Sequence, residues 1–218
     1  MTFSKQALIV RLIWITLVAA FVVALFTARW SVAFVSLATL GLSMAPAFLA
    51  ERLSLKLPVS FVALIVMFVF ATLFLGEVLD FYERYWWWDI ALHGASAVTF
   101  GMIGFLFVFF LFEGDRFAAP PLALALISFC FAVTIGTLWE IFEFGMDQMF
   151  GLNMQKSGLL DTMGDLIVDV LGGLVGAGIG YLYLRGSGAN GPGQLIDQFV
   201  RANRRLFKRM KNVTKGPD

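Results

Sequence analysis

Six apolar stretches, each long enough to cross a lipid bilayer, constrain the fold of this chain more than any other feature. They cover residues 6–26, 30–50, 59–79, 90–112, 121–150 and 159–184. A helix needs about 20 residues to cross a hydrocarbon core of about 30 Å. Hydrophobic residues make up 60% of the chain and charged residues only 14%, which excludes an ordinary water-soluble domain. We therefore predict an all-α polytopic membrane protein, a bundle of six transmembrane helices.

The chain is expected to form one membrane domain with a short tail. Residues 1–186 make the bundle, and its first span is interpreted as a retained helix because no small-residue cleavage site follows it. Residues 187–193 have the composition of a flexible linker. In residues 194–218, apolar side chains recur with helical spacing among Lys and Arg, which predicts a basic amphipathic surface helix on anionic lipid. Since no nucleic-acid-binding module accompanies these charges, we expect membrane lipids and no nucleic acid as partners.

The distribution of Lys and Arg predicts that both termini lie in the cytoplasm. Of the 16 basic residues, three lie on one side of the predicted membrane, namely Arg29, Arg84 and Lys156, and all the others lie on the side of the termini. Cytoplasmic loops and tails are enriched in Lys and Arg. The loop at 151–158 and the ends of the spans beside it therefore face the outer side.

Acidic residues are concentrated in and beside the last four apolar stretches. Close to these acidic residues lie the single histidine, His93, and two basic residues, Arg84 and Lys156. The acidic residues concerned are Glu77, Asp80, Glu83, Asp89, Glu140, Glu143, Asp147, Asp161, Asp165 and Asp169. A charge within a bilayer is costly, so such side chains face the bundle interior and need a compensating partner. Bound metal ions, shared protons, or both would supply the compensation.

Helical spacing places these carboxylates on common faces. Three sets of residues each share one face of a helix: Asp89 with His93, Glu140 with Glu143 and Asp147, and Asp161 with Asp165 and Asp169. At about 1.5 Å per residue, Glu140 and Asp169 lie roughly 15 Å below the outer surface, too deep for a short side chain to reach water. Asp89 and Asp161 also lie at helix starts, where a carboxylate can instead cap free N–H groups.

These side chains are the predicted ligands of a metal ion. We expect the ligands among Asp89, His93, Glu140, Glu143, Asp147, Asp161, Asp165 and Asp169, with catalytic roles for His93, Glu140 and Asp165. Oxygen ligands with one imidazole favour Mg²⁺, Mn²⁺ or Ca²⁺ over Zn²⁺ or Fe²⁺. One histidine excludes a zinc site of three histidines, and the paired Glu-x-x-His motif of di-iron proteins does not occur. A triad of Asp89, His93 and Ser96 on one helix rarely has the geometry of a serine hydrolase.

Two further segments have predicted structural roles. Loop 151–158 is short and polar and lies above the carboxylates, so Asn153, Gln155, Lys156 and Ser157 are expected to form a lid. A ridge of small residues along the last span is expected to let another helix approach closely. The ridge consists of Gly172, Gly176 and Gly180, with Gly173 and Gly178.

Two sequence blocks resemble a known family. Residues 76–96, GEVLDFYERYWWWDIALHGAS, and residues 136–183, GTLWEIFEFGMDQMFGLNMQKSGLLDTMGDLIVDVLGGLVGAGIGYLY, resemble the YjdF-like bacterial inner-membrane proteins. More loosely, Asp89-x3-His93, a glutamate on the following span and an aspartate before a glycine-rich span are similar to the pattern of VanZ-like membrane proteins. These resemblances imply a multi-pass protein of the bacterial cytoplasmic (inner) membrane with a helical core facing the cell envelope. They transfer no catalytic residues.

Three classes of function remain open from the sequence. The first is a metal-dependent hydrolase or transferase acting on a lipid-linked or envelope substrate, with a carboxylate or His93 handling the proton. The second is a proton- or cation-coupled transporter, and the third is a non-catalytic membrane scaffold. The inner parts of the last three spans, 100–112, 121–133 and 172–184, contain no Asp, Glu, Lys, Arg or His. This absence favours a site open to the outer side over a conduit.

Overall fold

The protein is helical throughout the part of the chain that the structure, a computed structural model, describes: residues 3–112, 119–186, 191 and 193–207. Within these residues no strand occurs. The α-helices in chain order are α1 (Phe3–Phe26), α2 (Trp30–Arg52), α3 (Val59–Val69), α4 (Phe81–Arg84), α5 (Trp88–Leu111), α6 (Pro121–Phe150), α7 (Leu159–Leu184) and α8 (Gly193–Ala202). The sequence-based prediction of an all-α fold is confirmed.

Six helical segments among the described residues are long and apolar enough to cross a membrane. They are Ala7–Phe26, Trp30–Arg52, Val59–Val78, Trp88–Leu111, Pro121–Phe150 and Leu159–Leu184. Their bounds match the six predicted spans to within two residues. Large apolar side chains such as Phe26 and Leu160 are at least 80% exposed, as expected of surfaces that face lipid rather than water.

The third span differs from a uniform α-helix. α3 ends at Val69 and continues as a π-helix over Phe70–Val78, where the Leu79 N–H donates to the carbonyl of Phe74, five residues back. The Thr72 hydroxyl donates to the carbonyls of Phe68 and Val69, 3.1 and 3.2 Å away. Such side-chain bonds compete with the regular backbone ladder and often accompany bent or widened turns.

The chain divides into two compact units, and the first extends to Trp88. In this unit α1 packs against α2 and α3. Its apolar core contains Val10, Ala63 and Val66, all buried. Trp14 of α1 donates a hydrogen bond from its indole nitrogen to the hydroxyl of Ser43 in α2, 3.0 Å away, so the two helices are joined by a polar contact as well.

The second unit begins at Asp89, and its helices approach closely through glycines. A Cβ built on Gly101 of α5 would lie 2.9 Å from the Cα of Gly176 in α7, a distance that only two glycines allow. Gly172 likewise meets Ala97, and Gly180 meets the ring of Phe105. The predicted ridge is therefore confirmed for Gly172, Gly176 and Gly180.

The other two glycines of the predicted ridge do not join this contact. Gly173 faces α6, where an added Cβ would lie 3.2 Å from the Cβ of Ala132. Gly178 has no atom within 4 Å of an added Cβ. The prediction for Gly178 was wrong, because two residues past Gly176 is about 200° around the helix and points away from α5.

The C-terminal helix α8 packs on the protein itself. Its apolar face is buried through Ile196 and Val200, and Phe207, just beyond the helix, stacks on Phe109 of α5 with ring centroids 5.5 Å apart. Arg201, Arg204 and Arg205 are exposed. The predicted amphipathic character is thus present, but the apolar face meets protein rather than standing free for lipid. Of the predicted linker and tail, residues 187–190, 192 and 208–218 lie outside the described residues.

Candidate metal centre

Three helices of the second unit bring ionisable side chains into one buried cluster. α5 contributes His93 from its second turn, and Asp89 precedes it by one turn on the same face. α6 contributes Glu140, and α7 contributes Asp165 and Asp169, also one turn apart. Except for Asp89, which is partly exposed, these side chains are buried. The helical phase expected from the sequence therefore places each of them toward the interior.

His93 lies at the centre of the cluster. Its Nε2 is 3.9 Å from Oδ1 of Asp89 and 3.8 Å from Oε1 of Glu140. Its Nδ1 is 3.4 Å from Oδ1 and 3.5 Å from Oδ2 of Asp169. Both ring nitrogens thus face carboxylates, on opposite sides of the imidazole.

Asp89, His93 and Asp165 offer three ligand atoms that all lie within 4.8 Å of one another. Ligand atoms about 2.0–2.2 Å from a shared Zn²⁺ lie up to about 4.4 Å apart, and the longer bonds of Ca²⁺, about 2.3–2.6 Å, allow up to about 5 Å. The spacing of the three atoms is near the upper limit for one shared ion. Of the eight predicted ligands, these three have the ligand atoms that lie close enough together to be considered.

Glu140 is buried without a well-formed hydrogen bond. Its side chain is 4% exposed, and within the described residues neither carboxylate oxygen has a hydrogen bond of normal geometry, although the Thr162 side chain lies nearby. Buried polar groups are nearly always hydrogen-bonded, and a buried unpaired carboxylate is strongly destabilising. Since Oε1 faces Nε2 of His93, this orphaned group points into the cluster, where a cation or a proton would satisfy it.

Glu143 has a different environment, although it was predicted as a ligand with Glu140. Its Oε1 accepts a hydrogen bond of 2.8 Å from the indole nitrogen of Trp139, one turn earlier on α6. The side chain is buried, but it is not among the three closely spaced ligands. Trp139 was not singled out from the sequence, although its spacing of four residues from Glu143 was a usable signal.

Asp147 and Asp161, also predicted as ligands, hold the loop above the cluster. The two oxygens of Asp147 accept hydrogen bonds from the backbone N–H groups of Met154 and Gln155, at 2.7 and 2.9 Å. Oδ2 of Asp161 accepts a bond of 3.0 Å from the N–H of Lys156. These carboxylates are satisfied by backbone donors, as in other turns closed by aspartate.

The predicted lid, loop 151–158, has a glycine with positive φ at each end and a side-chain hydrogen bond to α7. Gly151 ends α6 in the left-handed conformation, with φ +65°, and Gly158 precedes α7 with φ +64°, values that favour glycine. The Gln155 amide donates to the hydroxyl of Thr162 on α7. Asn153, Lys156 and Ser157 are exposed. Among the four predicted lid side chains, that of Gln155 contacts α7, and backbone N–H groups of the loop bind Asp147 and Asp161.

Below the cluster the second unit is closely packed and apolar. The contact between Gly101 and Gly176 and the burial of Phe105, Phe109 and Leu124 fill the space between the helices. The corresponding parts of the sequence carry no Asp, Glu, Lys, Arg or His. The cluster is thus confined to one end of this unit.

Glu77 and Asp80, the other acidic residues near predicted span ends, lie in the first unit. Both are exposed, and Asp80 forms a surface ion pair of 3.7 Å with Arg84. Such pairs contribute little to stability.

The fold and the cluster define the class: a polytopic helical membrane protein with a buried group of carboxylates around one histidine. The chain belongs to the family described as Predicted membrane protein (DUF2238), which matches residues 9–186. A protein of Thermotoga maritima described as uncharacterized is 37% identical over 106 residues, 48% of this chain. The aligned region spans 53% of that relative's length, about half. No solved structure matches the chain.

Proposed function

We propose that this protein binds a divalent cation through Asp89, His93 and Asp165 and acts as a metal-dependent hydrolase or transferase on a lipid-linked or envelope substrate. The observation that carries the proposal is the environment of His93 Nε2. It faces carboxylate oxygens of Asp89 and Glu140 at 3.9 and 3.8 Å, too long for hydrogen bonds, and the Glu140 oxygens form no hydrogen bond of normal geometry within the described residues. A cation among these groups would satisfy all of them.

Metal binding and proton transfer are assigned to different side chains of the cluster. The cation would polarise a phosphoryl or acyl group. Asp89, His93 and Asp165 would hold it, while Glu140 would accept the proton of the attacking water or hydroxyl, since it is buried and no hydrogen bond of normal geometry occupies its oxygens among the described residues. The packed helices below exclude water from the inner side.

The donor set supports a hard cation. Carboxylate oxygens outnumber the single imidazole, which favours Mg²⁺, Mn²⁺ or Ca²⁺, with Zn²⁺ or Fe²⁺ as weaker candidates. The spacing of up to 4.8 Å is near the upper limit for one shared ion, so the side chains would move slightly closer together on binding.

The location is part of the proposal. The resemblance to YjdF-like proteins agrees with membership of the DUF2238 family and supports a location in a bacterial inner membrane. The distribution of Lys and Arg supports an orientation with both termini in the cytoplasm. In this orientation the cluster opens to the outer leaflet, where lipid-linked envelope precursors are handled. The exposed Arg201, Arg204 and Arg205 would then contact anionic cytoplasmic lipid.

A proton- or cation-coupled transporter is the second candidate. It is favoured by the number of buried carboxylates around one histidine, a pattern typical of proton relays. The close contact of Gly101 with Gly176 and the buried Phe105 below the cluster argue against a continuous polar route. A scaffold held by protonated carboxylates is the remaining alternative.

The test measures metal content and thermal stability of the detergent-purified full chain. We expect the wild type to contain a stoichiometric divalent metal and to lose stability on chelation, because bound metal stabilises the folded state by about 2.7 kcal/mol at 100 times Kd. Asp165→Asn should lower both metal content and stability. Asp80→Asn removes an exposed carboxylate of equal charge and is the matched control, expected to change neither.

Two results would contradict the proposal. Wild-type protein without metal that ignores chelator and added Mg²⁺, Mn²⁺, Ca²⁺ and Zn²⁺ would leave the transporter and the scaffold. Asp165→Asn with unchanged or increased stability would indicate carboxylates that share protons, because the amide keeps hydrogen bonding and relieves repulsion between like charges.

A further inference from the structure

We infer that Asp169 is the positioning residue of the site: it accepts the Nδ1–H of His93 and thereby turns the lone pair of Nε2 toward Asp89, Glu140 and the cation. The sequence pattern placed Asp169 among the metal ligands. Its role in the metal chemistry rests on the proposed function, but the hydrogen bond between His93 and Asp169 can be tested in metal-free protein.

The geometry around the imidazole selects one tautomer. A neutral imidazole has one N–H donor and one acceptor nitrogen. Nδ1 lies 3.4 and 3.5 Å from the two oxygens of Asp169, so it points between them. Nε2 lies 3.8 and 3.9 Å from its nearest carboxylate oxygens, beyond hydrogen-bonding distance. The proton therefore belongs on Nδ1, and Nε2 is the nitrogen left free to bind a cation.

A glycine on the neighbouring helix leaves the space that the Asp169 side chain occupies. A Cβ at Gly136 of α6 would overlap the Asp169 carboxylate and lie 2.7 Å from its Cγ. The side chain is 2% exposed and occupies the space that Gly136 leaves open. Position 136 thus determines how closely the carboxylate can approach His93, although it carries no functional group.

The arrangement has a known chemical effect. A carboxylate that accepts the second N–H of a metal-binding histidine fixes the tautomer and the ring orientation and makes the other nitrogen a stronger ligand. Loss of such a partner typically lowers metal affinity about 10- to 100-fold. We expect that range for Asp169→Ala, whereas loss of Asp165 removes a ligand directly.

The single histidine makes the inference directly measurable. Full-length protein labelled with ¹⁵N-histidine and purified without a histidine tag gives ring signals from His93 alone, and nitrogen shifts distinguish a protonated from an unprotonated ring nitrogen. The spectrum is recorded on metal-free protein at a pH high enough for a neutral ring. We expect the wild-type proton on Nδ1 and a shift of population toward Nε2 in Asp169→Ala.

Glycine variants provide the matched pair. Gly136→Ala should cause the same shift, because the added methyl group displaces Asp169. Gly145→Ala, on the same helix with no atom within 4 Å of the added Cβ, should leave the spectrum unchanged. Asp169→Asn keeps an oxygen acceptor and should preserve the Nδ1 proton, which provides a conservative rescue if Asp169→Ala does not fold.

The outcomes separate this inference from the proposed function. A wild-type proton on Nε2, or equal tautomer populations in wild type, Asp169→Ala and Gly136→Ala, overturns the positioning role. Metal binding measured on the same proteins is an independent result: the expected tautomers without metal binding would leave the hydrogen bond standing and refute the metal function. Metal binding that is equal in wild type and Asp169→Ala would refute the effect on affinity.

Discussion

At the scale of single residues, the buried carboxylates differ in what satisfies them. Asp147 is bound by two backbone N–H groups, Glu143 by the indole of Trp139, and Asp169 by His93. Glu140 has no hydrogen bond of normal geometry among the described residues. An uncompensated buried charge costs several kcal/mol, so a fold retains one only where something else binds it or where function requires it.

The first prediction concerns Glu140→Gln in metal-free protein. The neutral amide removes the cost of a buried charge, so we expect a free energy of unfolding equal to that of wild type or higher by about 1–3 kcal/mol. Thermal unfolding in detergent with chelator measures the change. Glu143→Gln is the control and should gain nothing, because its Oε1 already accepts a hydrogen bond. A marked loss of stability in Glu140→Gln would show that the carboxylate has a stabilising partner.

Helical spacing in the sequence identified the cluster, but it did not show which acidic residues lie beside His93 and which bind the loop. Ionisable side chains deep in apolar spans had to face inward, and this reasoning placed His93, Glu140, Asp165 and Asp169 correctly in the interior. The role of Asp147 depends on the path of the loop backbone, which helical phase does not describe. Glycine at 136 carries no chemical signal in the sequence, so its part in placing Asp169 required the three-dimensional contacts.

At the scale of elements, the loop between α6 and α7 is attached to the helices by carboxylates. Asp147 lies in the last turn of α6 and reaches forward to two backbone N–H groups. Asp161 lies in the first turn of α7 and reaches back to a third. Asp147 and Asp161, which the sequence predicted as metal ligands, thus bind the backbone of the loop between α6 and α7.

We predict that Asp147→Ala loosens this loop without removing metal. Hydrogen bonds to a charged acceptor contribute about 1.5–3 kcal/mol, so the amides of Met154 and Gln155 should exchange roughly 10 to 100 times faster. Hydrogen-exchange mass spectrometry of loop 151–158 measures this effect, and elemental analysis measures the metal. Loss of metal equal to that in Asp165→Asn would show that Asp147 is a ligand after all.

A second element-scale prediction concerns the contact of α5 with α7. Gly176→Leu places a branched side chain where the Cα of Gly101 now lies, and overpacking of this kind costs about 1–3 kcal/mol. Thermal stability in detergent is the measurement. Gly178→Leu, two residues away and without a neighbour within 4 Å, should be neutral. Equal stability of both variants would mean that the ridge does not pack against α5.

The helices themselves were largely predictable, because apolar stretches of membrane-spanning length leave the backbone few alternatives. The π-helical segment Phe70–Val78 was not foreseen, since a wide turn depends on local hydrogen bonds such as those of Thr72 rather than on hydropathy. The burial of Ile196 and Phe207 against the protein was also missed. An amphipathic pattern indicates which face is apolar and does not identify what covers it.

At the scale of the whole molecule, the chain forms two compact units where the sequence suggested one bundle of 186 residues. The division between Trp88 and Asp89 falls in the first turn of the helix α5 rather than in a linker. No Gly-, Pro- or Ser-rich segment marks it in the sequence. The carboxylate–histidine cluster belongs to the second unit, and its side chains and the glycines beside them lie on α5, α6 and α7.

We predict that both termini lie in the cytoplasm and that loop 151–158 lies on the opposite side of the membrane. Because Lys and Arg are concentrated on the side of the termini, a reporter active only in the periplasm should be silent when fused after Asp218. The same reporter inserted into loop 151–158 should be active. The reverse pattern would place the carboxylate cluster on the cytoplasmic side and remove the basis for an envelope substrate.

The pairing of Gly136 with Asp169 has an evolutionary consequence. A side chain at position 136 and the carboxylate at position 169 compete for the same volume, so the two positions are not free to diverge independently. Descendants that lose the histidine chemistry are released from this restriction, and the glycine should drift early because alanine then improves the helix. Glycine at 136 together with aspartate at 169 is therefore expected to separate relatives that keep a working centre from those that retain only the fold.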